Sequence, residues 1–135
     1  MTARASEPEA WFEKAEHNLL AILKLMVGDN VPWDMVAFHA QQAAEKCLKG
    51  FLVHCGATVP RVHDLVSLLR DCRRYDDTLE TMREDCERLT RLGWASRYPD
   101  APEEIDESMA RQAVELAQRV ESAIRQRVPR GEAPE

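Results

Sequence analysis

Apolar residues recur three and four positions apart over most of this chain, and the longest such pattern lies in residues 33–55. The pattern is carried by Val36, Ala40, Ala43, Ala44, Cys47, Leu48, Phe51, Leu52 and Cys55. Because residues with this spacing share one face of an α-helix, the stripe predicts a helix that packs against a core. Gly56 ends the helix and Pro60 follows it. We therefore expect a long central helix around which the rest of the chain packs.

Four further helices are predicted around the central one. Their expected positions are residues 8–27 with Ser6 as N-cap, residues 63–72, a helix capped by Asp76 or Asp77 and loosened at Gly93, and a last helix that starts at Glu103-Glu104. The expected core consists of Phe12, Leu19, Ile22, Ala40, Ala43, Cys47, Phe51, Leu65, Leu69, Met82, Leu89, Met109, Leu116 and Val120. No alternating pattern predicts a strand. The fold class is therefore all-α, an up-and-down antiparallel bundle of about five helices.

The length of 135 residues fits a single domain, which we place at residues 1–128, with a disordered tail at 129–135. The formal net charge of −6 argues against non-specific attachment to nucleic acid or to an anionic membrane. No apolar run reaches the ~20 residues that span a bilayer. The first residues lack the apolar segment of a signal peptide. The four cysteines lie inside helical patterns without the close pairs of a zinc site, so we expect a cytoplasmic protein without a metal or cofactor.

Two short stretches carry candidate chemistry. His63-Asp64 lies at a predicted helix start, where it is either a capping pair or a histidine placed to bind phosphate or to transfer a proton. Arg97-Tyr98 lies in an irregular segment, where the arginine has the planar donor geometry suited to phosphate and the tyrosine offers a ring for stacking. The alternative for the second pair is a solvated arginine beside a tyrosine that covers the end of the bundle.

The central helix also has a polar side opposite its core stripe. His39, Gln42, Lys46 and Lys49 fall on this side, and so do the apolar Phe38 and Val53. An ordinary solvated face would account for the polar residues alone. The admixture of apolar residues favours a partner surface, and we expect a homodimer interface formed by Phe38, His39, Gln42 and Val53.

Three sequence pieces together resemble the HEPN family (higher eukaryotes and prokaryotes nucleotide-binding domain). They are F-H-A-Q-Q-A-A-E-K-C-L-K at residues 38–49, Pro60-x-x-His63-Asp64-Leu65, and Ser96-Arg97-Tyr98-Pro99. The resemblance extends over residues 11–128. It implies a bundle of four to five helices, in agreement with the apolar pattern.

The resemblance implies one of two functional branches. Many HEPN proteins are metal-independent ribonucleases or toxins that carry Arg, four to six residues, and then His. After Arg97 the corresponding positions are Pro102, Glu103 and Glu104, so that motif is missing. The other branch consists of small prokaryotic proteins that are often encoded beside a minimal nucleotidyltransferase, are typically dimers, and are thought to bind a nucleotide or the partner enzyme. The present sequence is more similar to this second branch.

Our first hypothesis is therefore a non-enzymatic, homodimeric HEPN module that binds a nucleotide or phosphate ligand and acts with a nucleotidyltransferase, in a toxin–antitoxin-type system. The predicted ligand site consists of His63, Arg97, Tyr98, Lys46 and Lys49, with no catalytic or metal-binding residue. One alternative is a metal-independent endoribonuclease that uses Arg97 with His63. Another is a purely structural helical dimer.

Overall fold

The computed structural model describes residues 4–102 and 104–129 of the chain. It contains five α-helices and, within those residues, no strand: α1 (Pro8–Leu25), α2 (Trp33–His54), α3 (Leu65–Arg73), α4 (Arg83–Ala95) and α5 (Glu107–Arg127). Short 3-10 segments, Arg4–Ser6 and Asp77–Met82, precede α1 and α4. The predicted all-α bundle of five helices is confirmed. The tail predicted at 129–135 falls, apart from Pro129, outside the described residues.

The central position predicted for α2 is confirmed, because this helix packs against α1, α3, α4 and α5. Its apolar stripe is almost completely buried, and Phe51 is among the core side chains. Most of the other predicted core residues are also buried, whereas Leu19, Met82 and Met109 pack only partly buried against the core. Since α2 is covered on several sides, parts of its polar side are also shielded from solvent.

Several predicted helix ends were wrong. Ser6 does not cap α1, because Glu7 occupies the N-cap position and makes no capping hydrogen bond through its side chain. The predicted start of the last helix was also misplaced, because Glu104 is not helical and α5 begins at Glu107; Glu103 lies outside the described residues. Asp106 supplies its cap by accepting a 2.8 Å hydrogen bond from the backbone N–H of Met109. A side chain that satisfies a free N–H group fixes a helix start more strongly than acidic composition does.

The four cysteines all lie within the described residues and form no disulfide, and Cys47, Cys72 and Cys86 are buried. The thiol of Cys72 lies 3.5 Å from the carbonyl oxygen of Leu48 and donates to it. Burial raises the pKa of Cys72 well above its ordinary value and raises the pKa of Cys86 to about 12. These thiols therefore behave as small core side chains.

Candidate functional site

A buried ion pair lies on the polar side of α2. Lys49 Nζ donates to a carboxylate oxygen of Glu45 at 3.1 Å, one helical turn away. Glu45 is only 4% exposed and Lys49 only 6% exposed. A buried charge without a partner is strongly disfavoured in the protein interior, so each of these two charges stabilises the other.

The side chain of His63 extends this ion pair towards solvent. Its Nδ1 atom lies 3.0 and 3.1 Å from the two carboxylate oxygens of Glu45, while 67% of the side chain remains exposed. Because an ionised carboxylate only accepts hydrogen bonds, Nδ1 carries the proton and Nε2 is the atom left for other partners. The carbonyl oxygen of His63 also accepts a 2.9 Å hydrogen bond from Gln41 Nε2.

The helix start beside His63 is capped by the next residue. Asp64 accepts from the backbone N–H of Val66 at 3.0 Å and from the hydroxyl of Ser67 at 2.8 Å. The capping interpretation of the His63-Asp64 pair therefore holds for Asp64. His63 itself lies before the helix, where its imidazole is bound to α2.

Lys46 lies on the α1 side of the same face. Its Nζ atom donates to Asn18 Oδ1 at 2.7 Å, and the amide nitrogen of Asn18 lies 2.9 Å from His39 Nδ1. Burial lowers the pKa of Lys46, Glu45 raises it, and the charges of Lys14 and Lys49 lower it. The ammonium groups of Lys14 and Lys49 thus both act on Lys46.

The amide of Asn18 fixes the state of His39. Since Asn18 Oδ1 accepts from the lysine, its amide nitrogen is the donor to His39 Nδ1, and that ring nitrogen must be unprotonated. Burial lowers the pKa of His39, and the charge of Lys46 lowers it further. The geometry and the charges therefore both favour a neutral imidazole.

Arg97 reaches the same side of α2 from the end of α4. Its Nε–H donates to the carbonyl oxygen of Gly93 at 3.3 Å, and its guanidinium carbon lies 6.0 Å from the ring centroid of Phe38. Gly93 permits α4 to approach closely, because a Cβ atom at this position would lie only 2.5 Å from Gln41 Cγ. Close packing of α4 on α2 thus places Arg97 at Phe38.

We use the term α2 polar face for the side of α2 formed by Phe38, Gln42, Glu45, Lys46 and Lys49. Arg97 lies against Phe38, and His63 lies against Glu45. The two contact points are seven residues apart, about 10 Å along the helix axis. Of the predicted ligand residues, the structure therefore brings His63 and Lys49 to one carboxylate, places Arg97 two turns away, and directs Lys46 towards Asn18.

The residues predicted for a dimer interface lie on or beside this face. Phe38, Gln42 and Val53 are half-buried, and Gln42 donates to Gln41 Oε1 at 2.8 Å. The half-buried His39 is bound to Asn18 of α1. The imidazole of His39 is thus bound within the chain, whereas part of the apolar surface of Phe38 and of Val53 remains exposed to solvent.

Tyr98 belongs to a second feature, an open cleft of about 840 Å³ between the start of α2 and the connection from α4 to α5. Its walls include Trp33, Asp34, Arg97, Tyr98 and Glu104. Tyr98 is 46% exposed, and its ring centroid lies 5.3 Å from that of Trp94. Arg97 is shared, because it lies against the α2 polar face and also lines the cleft.

Sequence reasoning missed Gln41, Glu45 and Asn18 as site residues. The spacing of Gln41, Glu45 and Lys49 was a usable signal, because residues four apart on a helix are neighbours. The part played by Asn18 had no comparable signal, since it depends on how α1 packs against α2.

Comparisons with known proteins bear on the family and the fold. A family model described as HEPN domain matches residues 8–127. The chain belongs to the HEPN family. Among solved structures, the crystal structure of TT1696 from Thermus thermophilus is similar to this HEPN protein, with a TM-score of 0.77 and 30% sequence identity. The match covers 90% of this chain and 98% of that chain. No curated protein matches the sequence.

The helices of this HEPN protein do not have the character of membrane spans. Within the described residues, none combines the length and the apolar composition needed to cross a bilayer. Family membership agrees with the resemblance found in the three sequence pieces, and it leaves the ligand and the partners to be argued from the site.

Proposed function

We propose that this protein is a cytoplasmic, non-enzymatic HEPN module that binds a nucleotide or another phosphate-containing ligand on the α2 polar face. The observation that carries the proposal is the local excess of cations. Lys46 and Lys49 lie one turn apart on this face, His63 and Arg97 reach it from other parts of the chain, and Glu45 pairs with Lys49 and His63. A phosphate would compensate this excess in a protein whose formal net charge is −6.

Geometry supports the same proposal. Glu45 holds both His63 and Lys49, so these two side chains are fixed in position before a ligand arrives. Arg97 adds a guanidinium two helical turns away, with its Nε–H already fixed on Gly93. Pre-positioned donors lose less conformational entropy when an anion binds than mobile surface lysines do.

The test is calorimetric titration with tripolyphosphate and with nucleoside mono-, di- and triphosphates. We expect binding that weakens as salt is added, since the contacts are ionic. Lys46→Met and Arg97→Ala should each weaken binding about tenfold or more, which corresponds to losing one charge-assisted hydrogen bond. Lys24→Met, at an exposed lysine in the last turn of α1, is the matched control and should bind as the wild type does. Unchanged affinity in Lys46→Met and Arg97→Ala would refute this site.

We further propose that the module acts as a homodimer with a minimal nucleotidyltransferase, in a toxin–antitoxin-type pair. The family resemblance of residues 38–49 and the half-buried apolar Phe38 and Val53 support this part of the proposal. Co-expression with a nucleotidyltransferase encoded in the neighbouring open reading frame, followed by affinity purification, tests it. Failure of the two proteins to co-purify, or the absence of such a neighbour, would count against the pairing.

A second candidate function is metal-independent cleavage of RNA. The observation that favours it is the contact between His63 and Glu45, because a carboxylate on Nδ1 leaves Nε2 able to accept a proton from a hydroxyl group. Incubation of RNA with the protein in EDTA tests this candidate. Cleavage that disappears in His63→Ala and persists in His17→Ala, which changes an exposed histidine of α1, would establish it.

A further inference from the structure

The two apolar residues predicted for the dimer interface lie on either side of Lys46 along α2. Phe38 precedes this lysine by eight residues and Val53 follows it by seven, which corresponds to about 12 Å and about 10 Å along the helix axis. At about 100° per residue, the three side chains also fall within about 80° of one another around the helix. A contact that covers both Phe38 and Val53 therefore covers Lys46 as well.

Two-fold symmetry brings Lys46 against its own copy in such a contact. If the two α2 helices run in the same direction, each residue faces its equivalent. If they run in opposite directions with Phe38 against Val53, the two-fold axis passes between residues 45 and 46, and the two lysines again meet near it. Helices in contact lie about 8–10 Å apart, which does not exceed the Debye length of about 10 Å at 0.1 M salt. The repulsion between the two ammonium groups is therefore only weakly screened.

The charge of Lys46 is not balanced within one chain. Its Nζ atom donates to a neutral acceptor, Asn18 Oδ1, at 2.7 Å, and it forms no ion pair with any of the described residues. The neighbouring carboxylate of Glu45 is instead paired with Lys49 and His63. Lys46 is already half-buried, and a second copy would remove further water from it. A homodimer without another group would thus bury two uncompensated cations, which is strongly disfavoured.

We propose that a phosphate group lies on the two-fold axis of the homodimer and is held by Lys46 of both copies. The inference rests on the phosphate binding and the homodimer proposed above, and it makes each of them depend on the other. A phosphate monoester carries a charge of about −1.5 to −2 at pH 7, which matches two ammonium groups. Each ammonium group has three N–H donors and uses one on Asn18, so two remain for phosphate oxygens.

The shared site couples phosphate binding to dimerisation. Because the complete site exists only in the dimer, phosphate tightens the association of two chains, and association tightens the binding of phosphate by the same factor. One phosphate group is bound by two chains. Loss of the lysine has opposite effects on the two processes, because it abolishes the phosphate site and also removes the repulsion that opposes association of the phosphate-free chains.

Sedimentation velocity over a range of protein concentrations, with and without inorganic phosphate, tests this coupling. The dissociation constant of the wild-type dimer should fall about tenfold at saturating phosphate, within the range usual for coupled sites. Sodium chloride at the same ionic strength is the reference, because screening alone also reduces the repulsion. AMP separates the two sources of phosphate, since a response to both ligands assigns the site to the phosphate group itself and a response to AMP alone assigns it to a nucleotide. Calorimetry should give one phosphate per two chains.

Substitutions at Lys46 give a second and independent readout. Lys46→Met should dimerise more tightly than the wild type in the absence of phosphate, and its dimer should no longer respond to phosphate. Lys46→Arg keeps the positive charge and should retain the response. Lys24→Met, at an exposed lysine of α1, is the matched control and should behave as the wild type does. Thermal unfolding of each variant verifies that it is folded.

Three results overturn the coupling: a wild-type dimer that phosphate does not tighten beyond the chloride reference, a response that survives in Lys46→Met, or a phosphate-free Lys46→Met dimer that is weaker than the wild type. Binding that depends on Lys46 but takes up one phosphate per chain would leave the proposed phosphate-binding function standing without it. A chain that stays monomeric with and without phosphate refutes the homodimer and this inference together. If no phosphate compound binds at all, the proposed function fails as well.

Discussion

The Nδ1 atom of His63 lies 3.0 Å from a carboxylate oxygen of Glu45, so a buried acid holds an exposed base. The same carboxylate also neutralises the buried ammonium group of Lys49. Glu45 is therefore both a structural residue, through the lysine, and a positioning residue, through the histidine. These two roles can be separated by substitutions at Glu45 and at its partners.

The first prediction concerns the stability that depends on Glu45. Glu45→Gln leaves Lys49 as an uncompensated charge in the interior, and we expect it to lower the free energy of unfolding by about 3–5 kcal/mol. Glu107→Gln is the control, because Glu107 pairs with Arg111 at the same spacing, 2.9 Å apart, with both side chains 57% exposed.

Loss of an exposed pair of this kind should cost about 0.5 kcal/mol or less. Denaturant unfolding of Glu45→Gln and of Glu107→Gln measures the two losses of stability. The double variant Glu45→Gln, Lys49→Met should regain part of the stability, because it removes the isolated charge. Equal losses in the single variants at 45 and 107 would contradict the buried ion pair.

The second prediction concerns the close approach of α4 to α2. In Gly93→Ala, the new methyl group would lie 2.5 Å from Cγ and 2.7 Å from Cβ of Gln41. Because Gln41 is buried and bound to the carbonyl of His63, it cannot simply rotate away. We expect a loss of about 1–3 kcal/mol, typical of an overpacked core.

Thermal unfolding measures this loss. Arg91→Ala, at an exposed position of the same helix, should be close to neutral. Removing the obstructing side chain in Gly93→Ala, Gln41→Gly should relieve the steric clash, whereas Gln41→Ala keeps the Cβ atom that lies 2.7 Å from the new methyl group and should relieve it only in part. A Gly93→Ala protein that is more stable than the wild type would show that helix propensity outweighs the contact.

The third prediction concerns pH. The pKa of His39 is lowered in the folded protein, chiefly by burial and then by the charge of Lys46. The unfolded chain therefore binds a proton at a higher pH than the folded protein does. The stability contributed by His39 therefore falls as the pH drops through the ordinary histidine pKa of about 6.5, and it continues to fall until His39 is also protonated in the folded protein.

His39→Gln should reduce this loss between about pH 7 and pH 5, as measured by denaturant unfolding at a series of pH values. His17→Gln, which changes an exposed histidine of α1, is the comparison and should preserve the wild-type slope. If His39→Gln unfolds with the same dependence on pH as the wild type, the predicted contribution of His39 is contradicted.

The fourth prediction is the homodimer. A two-fold contact through the α2 polar face would cover the half-buried Phe38 and Val53, so Phe38→Glu combined with Val53→Glu should dissociate it. Sedimentation velocity at about tens of micromolar measures the oligomeric state. Tyr75→Glu, at an exposed aromatic residue following α3, should leave the dimer intact. A wild-type monomer, or a double variant that remains dimeric, would refute this interface.

The apolar spacing was sufficient for the fold, because burial and helical period determine both the number of helices and the side of α2 that faces the core. Helix ends depended on finer contacts. Glu103-Glu104 resembled an acidic first turn, whereas the hydrogen bond from Met109 to Asp106 set the start of α5. Composition alone does not distinguish among several acidic residues that precede a helix.

The candidate site was only partly predictable. The spacing of Glu45 and Lys49 indicates a pair, yet the same pair occurs on solvated helices. Its burial arises from neighbours distant in sequence, such as the Trp11 ring of α1, whose centroid lies 5.9 Å from Lys49 Nζ. The orientation of Lys46 towards Asn18 likewise depends on the packing of α1, which residue spacing within α2 does not encode.

The buried thiols make the opening of the bundle chemically measurable. Only the thiolate form of cysteine reacts readily with alkylating reagents, and burial disfavours that form at Cys72 and Cys86. Cys55 is half-exposed and is accessible to reagent first. Labelling of Cys72 and Cys86 requires α3 and α4 to separate from the bundle, so its rate follows that opening reaction. Mass spectrometry of alkylated protein would thus resolve motion at individual helices without any engineered probe.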